Sequence, residues 1–331
     1  MIIHPSVIAL IGSSVLICGI LLASAFYAFQ VLRHWSPAEG SERQLLLERK
    51  TYLISTILTY TFVFQLISLF LFIHTADSLH SLFVGAMCAA GTLQVNSYGY
   101  PVFLLKIVTA LLAGLWLIMN HADTRGYDYP LVRKKYFFLL ILAPLIIMES
   151  WLQALYFMNL KVDVITSCCG TLFSAEREGI TSEIAALPAG LMTPLFIVAM
   201  ALTLLLGLLF LLKGKGGYLF SSLAGASFFI SAASLISFIS LYIYELPTYH
   251  CPFCILQKEY GYVGYPLYIT LIFGGITGMG VGLLMPFRKQ RSLSAIIPAI
   301  QKRLAVASLI LYLIFAAITA YAIITSNLRL G

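Results

Sequence analysis

The sequence predicts an all-α integral membrane protein with eight transmembrane helices, arranged as two four-helix halves. Three observations predict this fold class. The 331-residue chain is 60% apolar and 10% charged, its mean hydropathy is +0.95, and its apolar residues fall into eight long runs. Soluble domains are about half apolar and about a quarter charged, and disordered chains have low hydrophobicity and high charge. Both of these classes are therefore excluded.

Each apolar run is long enough to cross a bilayer as an α-helix, which takes roughly 20 residues. The runs do not alternate apolar and polar residues, as the strands of a membrane β-barrel do. The predicted spans are residues 6–32, 52–73, 101–120, 137–160, 189–212, 218–245, 264–286 and 304–326.

The basic residues between the spans predict the orientation of the chain. Four, four, two and five Lys or Arg residues lie in the loops 33–50, 121–136, 213–217 and 287–303, against four in all on the opposite side. Basic loops face the cytoplasm, so we expect both termini to lie outside (N-out and C-out). No basic stretch precedes the first span, which is expected to be a retained helix rather than a signal peptide. The net charge of +7 then reflects topology and requires no nucleic acid partner.

Five of the six cysteines lie in outward loops or at the outer ends of spans, whereas Cys18 lies within the first span. The five are Cys88, Cys168, Cys169, Cys251 and Cys254. The periplasmic side of a bacterial inner membrane, where we expect these loops, is oxidising and allows disulfides to persist. The five thiols are either structural disulfides with one cysteine left over, or a redox relay.

Two cysteine motifs carry the chemistry. Cys251 and Cys254 form a CxxC just before the seventh span, where we expect a helix to start, and such a pair switches between dithiol and disulfide. With His250 beside it, the same pair is an alternative metal-ligand set. Cys168 and Cys169 are adjacent in the loop 161–188, so each pairs more naturally with a distant thiol than with its neighbour.

A short internal similarity predicts that the chain is a parallel repeat of a four-helix unit. A Leu-Gln pair follows Cys88 at residues 93–94 and follows Cys251 at residues 256–257, at the same spacing. A Gly-Tyr-Pro sequence then precedes the third span at 99–101 and the seventh at 264–266. The predicted organisation is a first half (1–160, with Cys88), an outer linker (161–188, with Cys168 and Cys169) and a second half (189–331, with the CxxC).

The segment Cys251–Pro266 resembles the DsbB and vitamin K epoxide reductase group of membrane disulfide-generating enzymes. Some members follow the CxxC with two residues, then Gln-Arg and a later Tyr-Pro, where this chain has Gln257, Lys258 and residues 265–266. The resemblance implies that the CxxC passes electrons to a bound quinone near Gln257 and Lys258. It also implies that Cys168 or Cys169 exchanges disulfides with a periplasmic thioredoxin-like protein.

Two charged residues lie within predicted spans. Glu149 lies in the middle of the fourth span, where an acidic side chain is costly and is functional by default. Proton delivery to a reduced quinone is one explanation, which would make Glu149 part of the quinone site. A hydrogen bond between helices is the other. Lys106 is expected to extend towards the outer interface.

The favoured function is therefore that of a membrane thiol–disulfide oxidoreductase that exchanges electrons between periplasmic thiols and a membrane quinone. One alternative is a transporter or receptor for a soft metal ion (copper, mercury or zinc) that uses the same thiols. Another is a structural membrane subunit whose disulfides are permanent. The sequence contains no Walker loop, no GxGxxG before a strand and no CxxCH, so ATP hydrolysis and covalent haem binding are not supported.

Overall fold

The computed structural model of the protein describes residues 4–35, 42–161, 164–166 and 187–329. Within these ranges every regular element is a helix. Eight helical segments are long and apolar enough to cross a membrane. The all-α class is therefore confirmed for the described residues, and these eight helices are compatible with the predicted membrane spans.

The ten α-helices of the described residues differ from the predicted spans mainly at their ends. They are α1 (Pro5–His34), α2 (Glu42–Ser78), α3 (Ala89–Gln94), α4 (Gly99–Arg125), α5 (Val132–Met158), α6 (Ala189–Lys213), α7 (Gly217–Ser234), α8 (Ser240–Tyr244), α9 (Gly264–Leu284) and α10 (Ile296–Thr325). A π-helix, Leu235–Ile239, joins α7 to α8, so these three elements together form the sixth span. Short 3-10 turns cover His80–Leu82, Cys254–Leu256, Lys258–Tyr260 and Met285–Phe287.

Helix α2 begins ahead of its apolar run, which was predicted from residue 52. Its first turns are rich in Glu, Arg, Gln and Leu, which are all good helix formers. The early part of α2 is also packed, because Leu47 is buried and its carbonyl accepts a hydrogen bond from the Tyr27 hydroxyl at 2.8 Å. Hydropathy thus locates the part of a helix that suits lipid, whereas the helix itself continues into the polar sequence.

The chain divides into two compact units. The first unit comprises residues 1–75, 93–161 and 287–297, and the second comprises residues 76–92, 162–286 and 298–331. The stretch that contains Cys88 therefore belongs to the second unit, together with the CxxC segment.

In the first unit, α1 and α4 both pack against α5. The indole of Trp116, on α4, is fully buried and meets the Phe62 ring edge-on, with 4.9 Å between the ring centroids. Its Nε1–H donates to the Lys135 carbonyl at 3.0 Å. The largest side chain of this core thus has its polar atom satisfied, as a buried indole requires.

In the second unit, small residues allow α9 to approach α7 closely. A Cβ atom at Gly278 would lie 2.5 Å from the Cβ of Ala224, and one at Gly282 would lie 2.3 Å from the Oγ of Ser221. Helices in lipid gain stability from such close contact, since the hydrophobic effect does not drive their association there. Gly278 and Gly282 are therefore packing residues.

Candidate functional site

Local turns position the three described cysteines of the second unit. Cys88 directly precedes α3, and its carbonyl accepts hydrogen bonds from the N–H groups of Gly91 (3.1 Å) and Thr92 (3.4 Å). Cys251 lies in the irregular segment after α8, and Cys254 begins a 3-10 turn.

The seventh span begins at Gly264, as predicted, and the CxxC lies before it. The expectation that a helix starts at the CxxC is wrong, because Cys254 begins only the short 3-10 turn Cys254–Leu256. Gly261 and Tyr262 have φ values of +61° and +57°, and residues in this left-handed conformation interrupt a right-handed helix. The CxxC therefore lies in a turn-rich segment rather than at the end of a long helix.

The structure brings Cys88 into contact with the CxxC. The Sγ atom of Cys251 lies 3.6 Å from that of Cys88 and 3.6 Å from that of Cys254, and all three Sγ atoms lie within 4.8 Å of one another. These distances are contacts between sulfur atoms, since a bonded S–S pair is separated by about 2.05 Å. The exposed fractions are 0%, 0% and 3% for Cys88, Cys251 and Cys254. We call these three residues the thiol triad.

One carboxylate holds the two cysteine-bearing segments together. Asp77, near the end of α2, accepts hydrogen bonds at Oδ1 from the N–H of Ala89 (3.1 Å) and from Nε2 of Gln257 (3.3 Å). The same Nε2 atom donates to the Met87 carbonyl at 2.7 Å. Gln257, predicted to stand near a quinone, thus connects the segment around Cys88 to the segment that follows the CxxC.

Tyrosine hydroxyls hold the backbone of the CxxC. The Tyr244 hydroxyl donates to the carbonyl of Cys251 at 2.6 Å, and the Tyr268 hydroxyl donates to the carbonyl of the next residue. The Tyr249 hydroxyl lies 3.9 Å from the Sγ atom of Cys254. These contacts fix the carbonyls beside the triad, so the sulfur atoms occupy defined positions.

The Tyr260 ring packs beside these tyrosines. It meets the Tyr244 ring edge-on, with 4.7 Å between the ring centroids. Burial raises the pKa of the Tyr260 phenol, and the nearby Cys254 raises it further. The Tyr260 side chain is therefore a neutral neighbour of the triad at physiological pH.

His250 is turned towards the π-helix rather than into the group of sulfur atoms. Its Nδ1 atom is 2.9 Å from the carbonyl of Ile236, which can only accept, so Nδ1 carries the proton. The metal-ligating atoms that come together among the described residues are the three triad sulfurs, without His250. The structure thus replaces the alternative set of His250 with the CxxC by a set in which Cys88 is the third donor. A π-helix often marks a functional site, and here it receives this histidine.

Glycine geometry bears on the short internal similarity between the segment of Cys88 and the CxxC segment. A Cβ atom at Gly91, the position that matches Cys254, would lie 2.7 Å from the Cβ of Ala86. The first residues of α4 and α9 are similarly confined: a Cβ at Gly99 would lie 2.1 Å from the Leu93 carbonyl oxygen, and one at Gly264 would lie 2.9 Å from Ile255. Both Gly-Tyr-Pro sequences therefore begin a helix against residues that follow a cysteine.

Glu149 belongs to the first unit, where it forms a buried ion pair. Its Oε1 atom lies 2.7 Å from Nζ of Lys106, and both side chains are almost fully buried. Gln65 donates to Oε2 at 2.6 Å, and the Thr109 hydroxyl donates to the same oxygen. The expectation that Lys106 extends to the interface is wrong, because a carboxylate across the helix pair satisfies its charge within the unit.

A second buried ion pair in the first unit joins Lys135 of α5 to Asp123 of α4 at 2.6 Å. It has the opposite arrangement to the pair of Lys106 with Glu149, since its cation lies on α5 rather than on α4. Each helix therefore carries one buried charge of each sign. Sequence reasoning did not identify this second pair.

Of the four remaining residues discussed in the sequence analysis, the structure places two and does not describe the other two. Lys258 is exposed at the start of the 3-10 turn Lys258–Tyr260. Cys18 lies on α1, outside the triad. Cys168 and Cys169 lie outside the described residues, so their predicted shuttle role stays a prediction.

Sequence reasoning also missed the residues that support the triad. Asp77 was not singled out, although an acidic residue at the end of an apolar run is itself a signal of function. Tyr244 and Tyr268 look like ordinary interface tyrosines in the sequence, and only their hydroxyl contacts distinguish them.

No family model, curated protein or solved structure matches the chain.

Proposed function

We propose that the protein is a membrane thiol–disulfide oxidoreductase in which Cys251 passes a disulfide between Cys88 and Cys254. The observation that carries this proposal is the central position of Cys251, whose sulfur lies 3.6 Å from each of the other two. Two-electron oxidation of the triad joins two of its cysteines in a disulfide and leaves the third as a thiol. The remaining thiol is already in contact with the sulfur that it would attack.

The exchange step is balanced without any external reagent. The thiolate of Cys254 attacks the Cys251 sulfur of a disulfide between Cys88 and Cys251. A new bond between Cys251 and Cys254 forms, and Cys88 leaves as a thiolate that takes up the proton lost by Cys254. Exchange requires such a thiolate and access to the attacked sulfur, and the contacts within the triad supply the access.

Net oxidation requires an electron acceptor, and the proposal assigns this role to a membrane quinone. The CxxC dithiol gives two electrons and two protons to the quinone, which leaves as quinol while the bond between Cys251 and Cys254 forms. A quinone is a suitable partner because it is lipid-soluble, and the described residues of this chain include eight helices that are apolar enough to cross a membrane. Lys258, which is exposed, is available to a quinone oxygen.

The side of the membrane on which the thiol chemistry takes place follows from the predicted orientation. With basic loops in the cytoplasm, the triad faces the periplasm of a bacterial inner membrane, where a thioredoxin-like protein would exchange disulfides with Cys168 or Cys169. The parallel repeat of two four-helix halves belongs to the same proposal. The matching glycine contacts at the starts of α4 and α9 support it.

Trapping of thiols in the full-length protein tests this proposal. The protein is reduced in proteoliposomes, freed of reductant and metal under anaerobic conditions, and exposed to a short-chain ubiquinone or menaquinone analogue. Alkylation and peptide mass spectrometry then identify the disulfides. We expect the bond between Cys251 and Cys254 in the wild type. Cys254→Ser, which lacks the dithiol that reduces the quinone, should form no disulfide within the triad.

Two variants complete the experiment. Cys251→Ser should form neither bond of the triad, and Cys18→Ser, which changes a cysteine of the first unit, should behave as the wild type does. The proposal is refuted if all three triad cysteines of the folded, quinone-treated protein are still thiols when they are alkylated after denaturation. It is also refuted if Cys251→Ser joins Cys88 to Cys254 at the wild-type rate, because Cys251 would then not be the relay.

A further inference from the structure

We infer that the reduced thiol triad is also a binding site for a thiophilic closed-shell cation, with Cu(I) as the ion that it fits. The inference does not rest on the redox proposal, since it needs only the three thiols in their reduced state. It is carried by the arrangement of Cys88, Cys251 and Cys254, which converge from two distant parts of the sequence.

The distances between the sulfur atoms suit a shared metal ion. Metal–sulfur bonds of about 2.3 Å, as in zinc–thiolate sites, require the three sulfurs of a planar trigonal site to lie about 4.0 Å apart. Two of the distances in the triad are 3.6 Å, and the third is within 4.8 Å. An ion at the centre therefore needs sulfur movements of only a few tenths of an ångström at the two shorter contacts.

The number and type of donors select the ion. Sulfur ligands favour Cu(I) and zinc among the common metals, but structural zinc takes four ligands in a tetrahedron. Within the described part of the chain, the group of donor atoms contains three sulfurs, and the nearby His250 has its Nδ1 atom directed to the Ile236 carbonyl. The three sulfurs that converge among the described residues are the soft donors that select Cu(I).

The surroundings hold the donors in place before the ion binds. The hydroxyl of Tyr244 fixes the carbonyl of Cys251. Gln257 and Asp77 connect the segment of Cys88 to the segment after Cys254. Groups around a metal site that orient its ligands in this way affect affinity by about 10- to 100-fold. The burial of all three sulfurs also excludes water, which would otherwise compete for the ion.

Metal binding and disulfide formation use the same sulfur atoms, so the two states exclude each other. Each thiol that becomes a thiolate ligand releases one proton, and affinity should therefore rise with pH. A disulfide within the triad removes two of the three donors. Oxidation would then release the ion.

Anaerobic titration of the reduced, quinone-free full-length protein with Cu(I), in competition with a chromogenic Cu(I) chelator, tests the inference. We expect one ion per chain, three sulfur neighbours by X-ray absorption, and weaker binding of Zn(II). Cys88→Ser should reduce the affinity for Cu(I) by about 100-fold or more, since losing a ligand costs at least as much as losing an orienting group. Cys18→Ser is the matched control and should bind as the wild type does.

Two results would overturn the inference. One is the absence of stoichiometric Cu(I) binding by the folded, reduced protein. The other is binding that Cys88→Ser leaves unchanged, which would assign the ion to other cysteines. Neither result bears on the redox proposal, because the thiol-trapping experiment is carried out with quinone and without metal.

Discussion

The buried ion pair between Lys106 and Glu149 allows the structural and the catalytic explanations of Glu149 to be separated. Lys106→Met removes the cation but keeps a long side chain beside the Phe72 ring, over which Nζ lies at 5.4 Å from the centroid. Glu149→Gln removes the negative charge but keeps an oxygen that accepts hydrogen bonds from Gln65 and Thr109. The double variant removes both charges together.

The expected magnitudes follow from the burial of the pair. Both side chains are almost inaccessible to solvent, so either single substitution leaves a buried charge without its counter-ion. Such a change lowers the free energy of unfolding by about 3–5 kcal/mol, whereas replacement of both partners is often neutral. The double variant should therefore be more stable than either single variant.

Equilibrium unfolding in mixed micelles, followed by tryptophan fluorescence, measures these differences, since the buried Trp116 reports on the first unit. Quinone-dependent oxidation of the triad is then measured in the same variants. If Glu149 only pairs with Lys106, the double variant keeps the wild-type rate. If Glu149 delivers a proton, the double variant is stable but slow.

The reasoning about the pair is refuted if the free energy of unfolding of the double variant is no higher than that of the less stable single variant. That result would mean that the two charges do not compensate each other in the folded protein. Lys135→Met, in the other ion pair of the same helices, is the matched control for stability. It should be destabilised similarly because its Asp123 partner is equally buried.

Three further predictions concern the second unit. Gly91→Ala should lower the free energy of unfolding by about 1–3 kcal/mol, because its Cβ would lie 2.7 Å from the Cβ of Ala86. An unchanged melting temperature would contradict this. Tyr244→Phe removes the hydrogen bond to the Cys251 carbonyl and should cost about 1–2 kcal/mol and slow disulfide exchange in the trapping assay, with retention of the wild-type rate as the contrary result. Hydrogen bonds from Asn327 lower the pKa of Glu245. The stability that they contribute is present above the pKa of the unfolded chain and is lost as the pH falls through the lowered pKa, so Glu245→Gln should melt below the wild type at neutral pH and converge with it in acid.

The fold class was predictable because hydropathy is a local property of the sequence. Each of the eight spans is recognised from its own residues, since a helix satisfies its backbone hydrogen bonds internally and needs only an apolar exterior to suit lipid. Helix ends were less predictable, as the early start of α2 shows. Charged residues that are good helix formers extend a helix beyond its apolar part.

Lys106 shows where local reasoning fails. Taken alone, a lysine near the end of an apolar run is expected to extend to the interface. Its position in the structure depends on Glu149, 43 residues further along the chain, together with the hydroxyls and amide around that carboxylate. No pattern within the helix of Lys106 contains this information.

The sequence by itself determined the apolar helices and identified the cysteines as the candidates for redox or metal chemistry. Only the tertiary structure decided that Cys88 and Cys251, 163 residues apart, are in contact, that Gln257 and Asp77 hold their segments together, and that His250 faces the π-helix. The physical reason is the range of the interactions. Burial of apolar surface adds up residue by residue along each helix, whereas a sulfur–sulfur contact depends on how distant segments pack.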